Sequence, residues 1–153
     1  MARVLMSGAE AGHLGVLHYV NDDAAVSAAE KAHGDYSYYL PSTYSRIGFE
    51  LPSAATELYV QFRVYAISGL GPGQAAGGLR FLDNSLSYVG VLVLKPNVEL
   101  SYRHSITTGV PIATGGVLPR NEWALVELYI KPANSGGIVT CKLNGVQVFT
   151  FTG

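Results

Sequence analysis

The sequence predicts an all-β protein, an antiparallel β-sandwich of jelly-roll type, on the strength of three observations. Residues 56–66 alternate almost without error between apolar and polar side chains, which is typical of an antiparallel strand with one buried face. Asn144 and Gly145 separate two such alternating runs, and both residue types accept the positive φ of a tight hairpin turn. Turn residues recur about every 8 to 12 positions, a spacing that favours a sandwich or jelly roll.

The N-terminal third is predicted to contain short strands and one helix. A short apolar run predicts a strand at 3–7, before the glycine-punctuated segment 8–15. Residues 21–33 are the predicted helix, because Ala, Glu and Lys favour helix and an Asn or Asp at the start provides a cap. A tyrosine-rich run predicts a strand at 36–40 that a proline stops, and residues 44–51 form the next predicted strand.

The rest of the chain is predicted to be strands joined by turns and two long connections. The predicted strands lie at 56–68, 78–82, 88–94, 98–104, 123–131, 137–143 and 146–151. Each is rich in β-branched, aromatic or alternating apolar residues, and turn clusters such as Pro96-Asn97 separate them. The glycine-rich segments 69–78 and 109–119 are predicted to be connections.

Length and composition fit one domain over residues 1–153, with residues 1–15 as an N-terminal arm or edge strand. Charged residues make up 14% of the chain, well below the roughly 25% of an average soluble domain. A surface with so little charge is as compatible with being covered by a partner protein as with being exposed to solvent. The net charge of −1 indicates neither a nucleic-acid partner nor an anionic membrane surface.

A single cysteine, Cys141, excludes an intrachain disulfide. It shares its parity with Val139 and Leu143, which predicts a small buried side chain. Neither a signal peptide nor a stretch of transmembrane length is recognisable. We therefore expect a chain that is made in a cytoplasm and stays soluble or joins an assembly there.

Three segments, read in order, resemble the concanavalin A-like (laminin-G-like) jelly roll. Residues 34–40 resemble an early strand entered through a glycine, residues 122–130 a strand with a leading Trp, and residues 137–148 a closing Asn-Gly hairpin. The likeness spans roughly residues 34–151 and implies the jelly-roll fold.

The opening residues 3–12 resemble the start of such domains in bacteriophage structural proteins. There a short strand precedes a Gly-x-Glu-x-Gly segment, here Gly8, Glu10 and Gly12. The chain departs from the family at its end, because such domains follow the Asn-Gly hairpin with one or two strands and this sequence stops at Gly153. We expect either that the opening strand closes the sheet or that an edge stays open to pair with another chain.

Residue types that carry catalysis or bind metals are scattered. The histidines, none spaced as metal ligands, are His13, His18, His33 and His104. The acidic residues do not form the paired carboxylates that glycoside hydrolysis requires. Asp83-Asn84 is the one acid–amide pair in a loop, and a β-turn explains it better than a calcium site. The sequence therefore predicts no enzymatic activity, no metal and no cofactor.

The absent catalytic residues, the low charge, the missing closing strands and the resemblance to phage structural domains together predict a non-enzymatic virion structural protein. The foremost candidate is a phage capsid decoration (auxiliary head) protein that binds and stabilises the shell. The expected partners are identical copies, in a trimer or other homo-oligomer, and the major capsid protein or another virion protein. The predicted interface residues are Val4, Leu5 and Met6 in the N-terminal segment and Tyr59, Arg63 and Tyr65 on the polar face of one strand. The expected location is the virion, after synthesis in the host cytoplasm.

Two alternatives stay open. One is a tail component of the same kind of particle. The other is a lectin-like carbohydrate-binding module for host or surface recognition, in which exposed tyrosines stack on sugars. Neither nucleic acid nor a membrane is an expected partner.

Overall fold

The computed structural model describes residues 19–21, 25–29, 37–39, 46–48, 55–65, 77–82, 88–95, 97–103, 112–133 and 135–153. The chain forms two compact units, Met1–Ser53 and Ala54–Gly153. Every helix or strand among the described residues is a β-strand, and all described pairings are antiparallel. The all-β prediction is confirmed, and the prediction of one domain over the whole chain stays a prediction.

The first unit contains two described strand pairs. Its strands are β1 (Tyr19–Asn21), β2 (Ala25–Ser27), β3 (Ser37–Tyr39) and β4 (Arg46–Gly48). β1 pairs with β4 and β2 pairs with β3. The strands predicted at 36–40 and 44–51 are confirmed over the shorter spans of β3 and β4.

The helix predicted at 21–33 is wrong, because β2 lies inside it. Its residues have helical propensity but no apolar stripe, and most of the stability of a helix in a protein comes from packing such a stripe. Ala25 lies opposite Tyr39, and Val26 lies opposite Tyr38. The helix propensity of these residues is worth only roughly tenths of a kcal/mol each, so strand pairing with a tyrosine-rich partner outweighs it.

The second unit contains two four-stranded sheets. Its strands are β5 (Leu58–Tyr65), β6 (Gly77–Leu82), β7 (Tyr88–Leu94), β8 (Glu99–Arg103), β9 (Ala113–Val117), β10 (Trp123–Lys131), β11 (Ile138–Leu143) and β12 (Val146–Thr152). The front sheet has the order β12-β11-β10-β5, and the back sheet has the order β6-β7-β8-β9. Apart from β9, each strand lies at a predicted position, so the local patterns were sufficient there.

The core of this unit forms where the two sheets face each other. β10 contributes Ala124, Val126, Leu128 and Ile130, each at most 3% exposed. The buried residues that complete this cluster are Leu92, Val98, Leu100, Tyr102, Leu118, Val139, Cys141 and Phe149. Because both antiparallel sheets supply side chains to one contiguous cluster, the unit is a β-sandwich.

The connection predicted at 109–119 is wrong over β9, whose sequence is Ala-Thr-Gly-Gly-Val. A Cβ atom at Gly115 would lie 2.4 Å from the backbone oxygen of Val148 in β12. Gly116 has a φ of +74°, which other residues rarely adopt. The glycines therefore permit a close approach between the edges of the two sheets, although in the sequence they resemble a loop.

The hairpin between β11 and β12 forms at Asn144-Gly145 as predicted. Both residues have positive φ, 50° and 82°, as a tight turn of this kind requires. The Asn144 backbone N–H donates to the Leu125 carbonyl at 2.8 Å, and the Leu125 N–H donates to the Asn144 side-chain oxygen at 2.8 Å. The turn is thereby tied to the start of β10, which helps to fix the register of the front sheet.

We predict that Gly115→Ala destabilises the protein by roughly 1–3 kcal/mol, the usual range for a group forced into a packed site. The contact is with backbone, which yields less easily than the end of a flexible side chain. Urea unfolding followed by circular dichroism measures the change. Val117→Ala is the matched control on the same strand, since Val117 is 61% exposed and an exposed change costs at most about 0.5 kcal/mol. Equal stability losses would contradict the close approach.

Candidate binding face

The outer face of the front sheet brings together aromatic and polar side chains, of which Tyr59, Gln61, Arg63 and Lys142 are exposed. Strict alternation sends the apolar half of β5 and β10 into the core and the other half outward. The side chains of this outer face are Tyr59, Gln61, Arg63 and Tyr65 from β5, Trp123, Leu125, Glu127 and Tyr129 from β10, and Thr140 and Lys142 from β11. The face therefore follows directly from the strand pattern.

Two aromatic pairs lie across β5 and β10. Tyr59 lies directly opposite Tyr129, with ring centroids 4.5 Å apart and planes at 36°. Tyr65 lies opposite Trp123, with centroids 5.4 Å apart and planes at 55°. Aromatic pairs at such separations contribute about 0.5–1.5 kcal/mol beyond the area they bury. They therefore hold these side chains in place while Tyr59 remains 54% exposed.

A polar row adjoins the first aromatic pair. The Tyr129 hydroxyl donates to a carboxylate oxygen of Glu57 at 3.2 Å. Desolvation by surrounding groups, reinforced by the Glu57 charge, raises the pKa of Tyr129, so this hydroxyl stays a donor at neutral pH. On the far side, the Thr140 and Thr150 hydroxyls lie 3.1 Å apart.

A shallow depression of about 290 Å³ lies on this face. Its floor is formed by backbone and by the aromatic pair Tyr59 and Tyr129, and its polar rim by Gln61, Glu127 and Lys142. Glu127 and Lys142 are opposite one another in the register of β10 and β11. Two rings, an amide and charges of both signs suit a polar, roughly neutral partner surface better than a highly charged one.

A second depression, of about 340 Å³, lies at one end of the sandwich beside Tyr102, Ile130 and Phe151. It is the larger of the two, but its lining is mainly apolar side chains and backbone. Only Lys131 contributes a charged side chain there. The smaller depression on the outer face therefore has the richer binding chemistry.

The predicted interface residues fall into two groups. Tyr59, Arg63 and Tyr65 lie together on the outer face, although Tyr65 is partly buried where it packs against Trp123. The other predicted residues, Val4, Leu5 and Met6, lie outside the described residues. Sequence reasoning missed Trp123, Glu127, Tyr129, Thr140 and Lys142. The alternation of β10 carries a signal for the first three, but only the strand register places them beside β5.

The remaining candidate groups have no described role in this face. All four histidines and the Asp83-Asn84 pair lie outside the described residues. Within the described ranges, no three acidic, His or Cys side chains are grouped to hold a metal ion. In the same part of the chain, no helix is long and apolar enough to cross a membrane.

Cys141 is buried, as predicted from its parity. It is 0% exposed on β11, opposite Phe149 of β12. Burial raises the pKa of its thiol to about 12 and likewise raises the pKa of Tyr102 to about 12. A thiol held in its neutral form is a poor nucleophile, so Cys141 acts as a core side chain.

No family model matches this chain, and neither the curated proteins nor the solved structures contain a match.

We predict that stability falls as pH rises above about 9. Below that pH, Cys141 and Tyr102 keep their protons in both the folded and the unfolded chain, so neither group lowers the free energy of unfolding. At higher pH the unfolded chain loses protons first, because its thiol titrates near 9.0 and its tyrosine near 10.0 while both folded values are about 12. Each such proton weakens folding by about 1.4 kcal/mol per pH unit.

Chemical unfolding across pH 8–11 measures this slope. Cys141→Ala should flatten the slope between about pH 9 and 10, where only the thiol of the pair titrates in the unfolded chain. Tyr102→Phe is the control variant, since its effect should begin about one pH unit higher. Identical slopes for wild type and Cys141→Ala would contradict the buried thiol.

Proposed function

We propose that this chain is a non-enzymatic virion structural protein, a capsid decoration protein that binds and stabilises a phage shell through the outer face of its front sheet. The observation that carries the binding role is the cross-strand clustering of Tyr59, Tyr129, Tyr65 and Trp123 with Arg63 on one exposed sheet face. Tyr, Trp and Arg are the residue types that dominate the energetics of protein interfaces. The virion setting is supported by the low charge of the chain and by the Gly8, Glu10, Gly12 segment.

The proposed mechanism is mechanical. A face held rigid by two aromatic pairs loses little conformational entropy on docking, because its side chains are already ordered. Each docked copy buries apolar area worth roughly 25 cal/mol per Å². Copies joined to one another and to a repeating shell then bind with an avidity beyond that of one contact.

A jelly-roll type of sandwich belongs to the same proposal. The path of the second unit supports it, since the chain leaves the front sheet after β5, forms all four strands of the back sheet, and returns at β10 beside β5. A chain that passes from one sheet to the other and back is what a double-sheet jelly roll requires.

A second candidate is a carbohydrate-binding module, which the depression on the outer face favours. Its rings and its amide, carboxylate and ammonium groups are the kinds of group that sugars stack on and hydrogen-bond to. The tight Tyr59–Tyr129 pair favours a protein partner over a sugar. Much of one face of each ring is already occupied by the other ring and is therefore not free to stack on a sugar. A glycan array therefore separates the two candidates.

We predict that Tyr129→Ala reduces cosedimentation with particles of the virus that encodes the chain by about 30-fold or more in affinity, as expected for a central aromatic anchor. Tyr129→Phe is the matched control, since it keeps the ring and loses only the hydroxyl that bonds Glu57, and it should bind within about fivefold of wild type. Wild-type chain that stays in the supernatant would contradict the decoration role. Saturable binding to a glycan in its place would establish the second candidate.

A further inference from the structure

One outer edge of the front sheet, as the described strands form it, runs along β5. Among the described strands, β5 pairs only with β10. The Leu125 N–H in β10 donates to the Asn144 side-chain oxygen, and the Leu125 carbonyl accepts from the Asn144 backbone N–H. Both groups thus point away from β5, where Leu125 lies opposite Arg63. Because backbone groups alternate in an antiparallel pair, Arg63 and the other odd-numbered residues of β5 direct their N–H and C=O groups to the edge away from β10.

β5 has a more regular pairing than the other outer strands of the two sheets. The other outer strands of the two sheets, β12, β6 and β9, each have a shift of register in their pairing. Such irregularities twist an edge away from further pairing. β5 matches β10 from Leu58 to Tyr65 without a shift, and it contains neither Pro nor Lys. It is therefore a long, regular edge that offers a row of donors and acceptors.

The core-facing side chains of β5 are incompletely covered. Val60, Phe62 and Val64 are only partly buried, whereas Leu128 and Val126 of the adjoining β10 are at most 2% exposed. Apolar surface left open at a regular edge favours the addition of a further strand.

We propose that β5 pairs antiparallel with β5 of a second copy of this chain, about a two-fold axis at Gln61. In this register Tyr59 lies opposite Arg63 of the second copy, and Glu57 lies opposite Tyr65. A guanidinium beside a tyrosine ring is a favourable cation–π arrangement, and the symmetry forms it twice. A parallel alignment would instead bring the two arginines together. The antiparallel register also uses nearly the whole strand and joins two front sheets into one.

This pairing does not depend on shell binding, and its test is separate. A chain that dimerises but fails to cosediment keeps the pairing and loses the decoration role. A chain that cosediments with the shell but stays a monomer in solution supports the decoration role and excludes the pairing.

Light scattering after size exclusion, over a concentration series, measures the mass of the full chain. We expect twice the mass of one chain for wild type and for Gln61→Thr. For Gln61→Pro we expect the monomer mass, because proline removes an edge N–H while the bonds to β10 use the even-numbered residues. Wild type that stays monomeric at every concentration, or a Gln61→Pro variant with native circular dichroism that remains dimeric, would overturn the proposal.

Cysteine scanning tests the register and does not depend on the proline variant folding. Gln61→Cys places two thiols opposite each other at the axis, within the roughly 4.4–6.8 Å between Cα atoms that a disulfide spans. Arg63→Cys faces Tyr59 of the second copy and should not bridge. Mild oxidation and a non-reducing gel should give a dimer for Gln61→Cys alone, since Cys141 is buried. Equal dimer from both variants, or none from Gln61→Cys, would overturn this register.

Discussion

The pairing of β10 with both of its neighbours is the constraint on which the second unit depends. One parity of β10 supplies four nearly inaccessible side chains to the core, and the other parity supplies the centre of the outer face. A one-residue slip would exchange the two sets, sending Val126 and Leu128 to solvent and Glu127 and Tyr129 into the core. The free energy of core burial therefore fixes the register, and the register assembles the outer face.

The same constraint explains how the outer face of the front sheet is held together. Tyr129 touches Tyr59 and Glu57, which come from a strand about seventy positions earlier in the chain. These contacts connect β10 to β5 on the side opposite the core. The outer face carries rings, hydroxyls and charges of both signs on neighbouring strands.

The sequence predicts those parts of the fold in which the signal is local. β5, β7, β10, β11 and β12 were placed from alternation, apolar runs and one Asn-Gly turn, because side-chain period and turn chemistry belong to the strand itself. β1, β2 and β9 lie outside the predicted strands, because tertiary context decides them. An alanine-rich segment forms a strand where a tyrosine-rich partner is available, and two glycines belong to a strand because β12 passes close by.

For the same reason, the sequence predicts only the part of the candidate site that lies on β5. Tyr59, Arg63 and Tyr65 were found on one strand, but their neighbours Trp123 and Tyr129 required the pairing of distant strands, which no local pattern reports.

The most direct test of the register is a nuclear Overhauser measurement between the Hα protons of Tyr59 and Tyr129. These residues form a non-hydrogen-bonded antiparallel pair, whose Cα atoms lie about 4.5 Å apart, so a strong cross-peak is expected. A strong cross-peak from Tyr59 to the Hα of a different β10 residue would contradict the register and the binding face built on it.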